Sequence, residues 1–206
     1  MPTIFLDAGH SRKEAGAKAN GLDEALLAIE IRDLVVQKLR GATGYNVFVI
    51  GDGLTLKETI ANINDEAGKD DIAIALHFNA NNNPDLKGVE AYYYKDSKVA
   101  ECFTRNICAI TGQVNRGARA DTETFVGSLG FVRKLPCRSV LIECGYLTNG
   151  TEAWNLTDGA FKDKLATGIV NAILELEIED KIYWLQQKLV ALLQQFISQL
   201  QGKITK

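Results

Sequence analysis

The sequence predicts an α/β fold built on a mainly parallel sheet with helices packed against it. Apolar runs of strand length alternate with segments of helical period, the pattern of βαβ units. Hydrophobic residues make up 46% of the chain and charged residues 24%, the balance of a folded protein with a sizeable core. The chain's two histidines, His10 and His77, each stand where an apolar run gives out. In an open α/β sheet that is the rim where loops leave the core and polar groups converge.

The elements follow in order. A first strand starts at Thr3 and runs out at His10, and a polar, glycine-containing loop occupies residues 11–21. Leu22, Leu26, Ile29, Leu34 and Leu39, with Ala25, Val35 and Val36 between them, recur at helical spacing over residues 22–40, while Glu30, Arg32, Asp33 and Lys38 stay polar. Gly41 and Gly44 are expected to stop that helix. Residues 46–50 read as a strand, 55–67 as a helix and 72–76 as a third strand that ends at His77. Three consecutive asparagines and Pro84 mark residues 79–87 as a loop before a strand at 88–94. Ser97 is the expected cap of a helix reaching about residue 110. Residues 111–135, punctuated by Gly112, Gly117, Gly127 and Gly130, receive no assignment. A strand at 139–142 ends in Glu143, and a helix at 158–176 closes the domain.

Residues 1–176 thus read as one catalytic-sized domain and 177–206 as a helical tail. In the tail Ile182, Leu185, Leu189, Leu192 and Phe196 alternate at spacings of three and four, with Val190, Leu193, Ile197, Leu200 and Ile204 as a second stripe. So wide an apolar face needs a partner in water. Its own domain, a second copy and a membrane surface are the candidates, in that order. Glu177, Glu179 and Asp180 beside few lysines make it a poor cationic amphipath, so membrane contact is not expected.

A net charge of -3 gives no electrostatic reason to bind nucleic acid. Cys102, Cys108, Cys137 and Cys144 lack metal-site or redox spacing and read as buried free thiols. The start, Met-Pro-Thr-Ile-Phe-Leu-Asp, enters a strand without the features of a secretory signal, which predicts a product cytoplasmic in the cell that makes it and acting outside only after release.

Two imidazoles and a carboxylate at one sheet rim match a catalytic zinc centre, which takes three protein ligands and keeps a position for water. His10 and His77 supply two ligands. Glu24, at the opening of the first helix, is the preferred third, with Asp7, Glu14 and Asp23 as competitors. Glu143 follows an apolar strand directly, where a carboxylate costs energy to bury unless it has a partner or a task.

These residues also carry a resemblance. Asp-Ala-Gly-His10, Gly21-Leu-Asp-Glu24, Leu-His77-Phe-Asn-Ala80, Asn115-Arg-Gly117 and Val-Leu-Ile-Glu143-Cys-Gly-Tyr-Leu-Thr-Asn149 resemble, in order and spacing, the zinc-dependent N-acetylmuramoyl-L-alanine amidases of the amidase-3 type, over about residues 3–176. The resemblance implies a three-layer α/β fold of the phosphorylase/hydrolase-like kind, with a mixed, mainly parallel sheet. It implies Zn2+ held by His10, Glu24 and His77, a catalytic Glu143, and bacterial peptidoglycan as substrate, cut between N-acetylmuramic acid and L-alanine. The compact form resembles the catalytic domains of phage endolysins more than secreted bacterial autolysins. The chain departs from the family in having Ser11-Arg-Lys-Glu where a glycine-rich run is usual, and in lacking an arginine in the second helix. Asn79 and Arg116 are the expected substrate contacts, with Arg119, Arg133 and Lys134 in the segment that borders the cleft. Two other functions compete: a catalytically silent peptidoglycan-binding domain, and a zinc peptidase cutting within the stem peptide. Self-association through 177–206 would supply avidity for the wall.

Overall fold

A computed structural model describes residues 2–11, 16–41, 46–124 and 126–204. Glu14, Gly44 and the middle of the 11–21 loop lie outside them. Among the described residues a six-stranded sheet has the order β4-β1-β5-β8-β6-β7, formed by β1 (Thr3–Ala8), β4 (Asn46–Val49), β5 (Ile72–Asn79), β6 (Val89–Tyr93), β7 (Asn115–Ala120) and β8 (Arg138–Tyr146). β4, β1, β5 and β8 run parallel, whereas β6 is antiparallel to β8 and β7 follows β6. The sheet is therefore mixed and mainly parallel, as expected. The reversal matters for function, because it brings the start of β6 to the rim where β5 and β8 end.

The period-2 alternation of strands divides the core. Phe5, Ala73, Ala75, Leu141 and Tyr92 form one face and pack with Ile63 of α2 (Leu56–Glu66) and with Phe131 and Val132 of the short α4 (Gly130–Arg133). Ile4, Leu6, Ile74, Leu76, Val140 and Ile142 alternate with them and are fully buried on the other side. There α1 (Glu24–Gly41) packs on β1, β4 and β5, and α3 (Ser97–Thr111) packs on β6, β7 and β8. A Cβ at Gly168 would press on the Ile107 backbone at 2.7 Å, so glycine sets how closely the following helix approaches α3.

Several elements differ from expectation for identifiable reasons. Residues 22 and 23 pair as β3 (Leu22–Asp23) with β2 (Lys18–Ala19), so α1 begins only at Glu24. Within α1, Leu26 is exposed and Arg32 buried, the reverse of the polarity pattern. Arg32 is tolerated because its guanidinium donates to the Ile50 carbonyl at 3.1 Å, to Asp33 at 2.8 Å and to Asp52. Thr55 starts α2 through a capping box with Glu58. Asp96, not Ser97, caps α3 by accepting from Lys98 N at 3.0 Å, and Gly112 ends it at φ 75°. Both β5 and β8 run on past the expected ends, so His77 and Glu143 lie within strands.

α5 (Gly150–Asn155) precedes one continuous helix, α6 (Gly159–Ile204), where a helix ending at 176 and a separate tail were expected. No glycine or proline falls between residues 169 and 201, and nothing local stops it. The chain divides into two compact units, Met1–Ala172 and Ile173–Lys206. In the second, Ile182, Leu185, Leu189, Leu192 and Phe196 are all exposed. Among the described residues no helix is long and apolar enough to cross a membrane. The four cysteines are free, three of them buried.

Candidate metal centre and cleft

Three backbone devices bring the candidate ligands together. Beyond β1, Gly9 N still donates to Leu76 O at 2.7 Å, and His10 then adopts φ 66°, a left-handed conformation that non-glycine residues rarely take. Asn20 and Gly21, at φ 49° and 78°, turn β2 into β3 and deliver Glu24 to the same rim at the start of α1. His77 comes from β5. Two glycines leave room. A Cβ at Gly9 would overlap the His77 imidazole, and one at Gly16 would overlap the Glu24 carboxylate and the His10 ring.

The result is tight. Glu24 Oε1 lies 3.2 Å from His10 Nε2 and 3.2 Å from His77 Nδ1, and it accepts from Phe78 N at 3.1 Å. Its Oε2 accepts from Ala17 N at 2.8 Å. One ligand atom from each of His10, Glu24 and His77 lies within 4.8 Å of the others. Burial opposes ionisation of Glu24, but hydrogen bonds from the two histidines outweigh it and hold the carboxyl well below the usual range. Two imidazole nitrogens and a carboxylate oxygen make the mixed donor set that zinc accepts. Of the competing ligands, Asp23 is paired with Lys18 at 2.7 Å. Asp7 lines a neighbouring cavity of about 200 Å³ beside His10, and burial raises its carboxyl to about 7 against the opposing charge of Arg32.

Sheet register places the next two carboxylates. His77 pairs with Glu143 across β5–β8, and Glu143 pairs with Glu90 across β8–β6, so the three side chains form one row on one face. Among the described residues Glu143 Oε2 is buried without a hydrogen-bond partner. Burial, then the negative charges of Glu24 and Glu90, push this carboxyl well above its usual range. An enclosed acid with an unused oxygen beside a metal-type cluster is the arrangement of a proton carrier.

Glu90 is the buried cleft residue that sequence reasoning missed. It is buried, and its Oε1 accepts from Asn79 Nδ2 at 2.8 Å, Tyr146 OH at 3.1 Å and Tyr92 OH at 3.2 Å. Its Oε2 accepts from Arg116 Nε and Arg119 Nε, both at 2.9 Å. Burial opposes its ionisation, and the bonds from Arg116, Tyr146 and Arg119 still hold it below its ordinary value. Burial and the Glu90 charge push the Tyr146 phenol up to about 12. The available signal was an acid inside the apolar run Val-Glu90-Ala-Tyr-Tyr, the same signal that drew attention to Glu143.

His77, Glu143, Glu90, Arg116, Arg119 and Asn79 line one cleft of about 460 Å³. Asn79 thus faces the cleft, but its amide is engaged by Glu90 and its Oδ1 accepts from Ala80 N at 2.8 Å. Arg133 and Lys134 are not among the cleft's lining residues. Arg133 instead pairs with Asp121 and stacks 4.5 Å from the Tyr94 ring.

Comparison with known proteins gives a consistent set of likenesses. The amidase-3 family, described as N-acetylmuramoyl-L-alanine amidase, matches residues 4–175. N-acetylmuramoyl-L-alanine amidase LytC of Bacillus subtilis is 29% identical over 174 residues, 81% of this chain and 34% of that protein. The endolysin of Bacillus phage SPP1 is 27% identical over 178 residues, 84% of this chain and 65% of its own length. The chain therefore spans about a third of LytC and just under two thirds of the endolysin. Among solved structures, the catalytic domain of the amidase CwlV from Bacillus (Paenibacillus) polymyxa superposes with TM-score 0.76 at 26% identity, covering 85% of this chain and 98% of that one.

Proposed function

The chain belongs to the N-acetylmuramoyl-L-alanine amidase family, and from that premise we propose that it hydrolyses the amide between N-acetylmuramic acid and L-alanine of bacterial peptidoglycan in a zinc-dependent reaction. The observation that carries the reading is the row at the sheet rim: a His10–Glu24–His77 cluster with the enclosed carboxyl of Glu143 next to it. His10, Glu24 and His77 would hold the ion. When bound, zinc supplies a Lewis acid that polarises a carbonyl and lowers the pKa of bound water to about 7.

The remaining work falls to side chains of this chain. Glu143, whose carboxyl is pushed well up by burial and by the charges of Glu24 and Glu90, takes the proton of the attacking water and passes it to the leaving nitrogen of L-alanine. Glu24 accepts hydrogen bonds from Ala17 and Phe78, which fix its carboxylate and so the positions of both imidazoles. Asn79 and Arg116, which line the cleft, are the residues we assign to the substrate. A peptidase acting inside the stem would use the same groups, and product identity separates the two. Digested peptidoglycan should release stem peptides that begin with a free L-alanine amine and leave unmodified glycan, read by mass spectrometry. Peptides cut internally would refute the amidase.

The likeness to a phage endolysin supports a role in wall lysis. Addition of the chain to permeabilised cells is expected to lower their turbidity, whereas Glu143→Ala is expected to leave it standing.

A further inference from the structure

The cleft carries a cationic pair that its own strand pattern would not produce. Side chains three residues apart in a regular strand point to opposite faces, so Arg116 and Arg119 of β7 should diverge. The β6–β7 register breaks between them and Glu90: Val89 pairs with Asn115 and Glu90 with Gly117, leaving Arg116 as the extra residue of a bulge. Gly117 takes φ 83°, and its N–H is held by Asn115 Oδ1 at 2.8 Å. This bulge turns Arg116 to the side of Arg119, and both Nε groups reach the same Glu90 oxygen. Bulges commonly re-aim a side chain at a site.

One buried carboxylate oxygen serves both arginines. Two guanidiniums share one carboxylate, whose other oxygen is taken by Asn79, Tyr92 and Tyr146. The next acid, Glu123, is half-exposed; its Oε1 accepts from Ala120 N at 2.9 Å and its Oε2 lies 3.5 Å from Arg119 Nη1. Arg116 and Arg119 are themselves partly exposed to the cleft, at 24% and 32% of their side-chain surface, and Arg116 is steadied over the Tyr146 ring at 5.3 Å. Pinned through Nε, Arg116 turns its terminal N–H groups, and Arg119 its Nη2, toward a planar anion in the cleft, and a carboxylate matches that fork.

We propose that Arg116 and Arg119, set by the β7 bulge and held by Glu90, form a carboxylate-binding subsite that makes the chain select stem peptides with a free carboxylate near the scissile amide over the corresponding carboxamide. The proposal rests on the amidase reading and adds the specificity of its peptide arm. Glu90 acts in it as a positioning residue.

The test uses two muramyl peptides that differ only in carrying a carboxylate or a carboxamide on the residue after L-alanine. The wild-type chain is expected to favour the carboxylate by about ten- to a hundredfold in kcat/KM, chiefly through KM, the worth of a charge-assisted hydrogen bond. In Arg116→Gln and in Arg119→Gln that ratio should fall toward one, and Arg116→Lys should recover part of it. A wild-type ratio near one, or a ratio unmoved in both Gln variants, overturns the subsite. Equal cleavage of both peptides would remove the subsite and leave the amidase standing, whereas cleavage of neither would remove both. Should the Gln variants fail to fold, calorimetric titration of wild-type chain with the two released peptides decides: tighter binding of the carboxylate form supports the subsite, and equal binding overturns it.

Discussion

The site depends on residues whose size matters as much as their chemistry. Gly9 is required because any side chain there overlaps the His77 imidazole. Gly9→Ala is therefore expected to lower zinc affinity by at least about tenfold, in the range seen when the support of a metal ligand is lost. Calorimetric titration with zinc checks this, and an unchanged affinity would mean that His77 is not a ligand. Glu143 makes the complementary case. Glu143→Ala should keep the fold and the metal and lose about 10²–10⁴-fold in hydrolysis, the usual contribution of a general acid/base; near-normal turnover would remove it from the mechanism. His10, Glu24, His77 and Glu143 were legible as candidates because each stands out locally, a polar group at the end of an apolar run or at a helix start. Glu90 was not recognised, because the arginines that explain its burial lie 26 and 29 residues away, and their meeting depends on a register shift that no local pattern announces.

Elements with strong internal signals were read closely, and those defined by their neighbours were not. The helix at 55–67 differs from α2 by one residue at each end, because Thr55 and Glu58 write its start locally. Thr55→Ala removes that cap and should cost about 1 kcal/mol in denaturant unfolding, and no change would show that the capping box contributes nothing. β7, Asn-Arg-Gly-Ala-Arg-Ala, has no apolar alternation and a glycine in its middle; it is a strand because β6 offers it an edge. The lengths of β5 and β8 were underestimated for a related reason. Their ends carry His77, Asn79, Glu143 and Tyr146, polar or aromatic groups turned to the cleft, which break the apolar run without ending the hydrogen-bonded ladder. The β6–β7 edge also has a pH signature. Glu90 titrates below its ordinary value of 4.5 in the folded chain, so its contribution to stability is present above that value and is lost as pH falls through the lower, folded one. The stability difference between wild type and Glu90→Gln, measured by urea unfolding across the acid range, should shrink on that descent. A difference independent of pH would contradict the ion-pair account.

At the scale of the whole chain, alternation of strands and helices was enough to predict a mainly parallel α/β sheet, and the sheet order shows why function collects at one rim. Reversal of β6 places Glu90 beside Glu143, and Glu143 stands beside His77, so a candidate metal ligand, an enclosed carboxyl and the buried Glu90 with its two arginines meet across four adjacent strands, β5, β8, β6 and β7. That reversal was invisible in the sequence, since a loop such as 80–88 can return a strand in either direction. The second unit, Ile173–Lys206, presents an exposed apolar stripe from Ile182 to Phe196, which a helix in water buries if it can. Sedimentation equilibrium should therefore show a mass that rises with concentration, and a single monomer mass throughout would count against self-association. The central claim, that the rim cluster and Glu143 hydrolyse the muramyl amide with zinc, is tested most directly on a defined N-acetylmuramoyl peptide. Wild-type chain should release L-alanine-terminated peptide, stop when a chelator removes the metal and resume at one equivalent of zinc, while Glu143→Ala binds that equivalent and stays inactive. Full turnover by the metal-free chain, or by Glu143→Ala, would contradict the account.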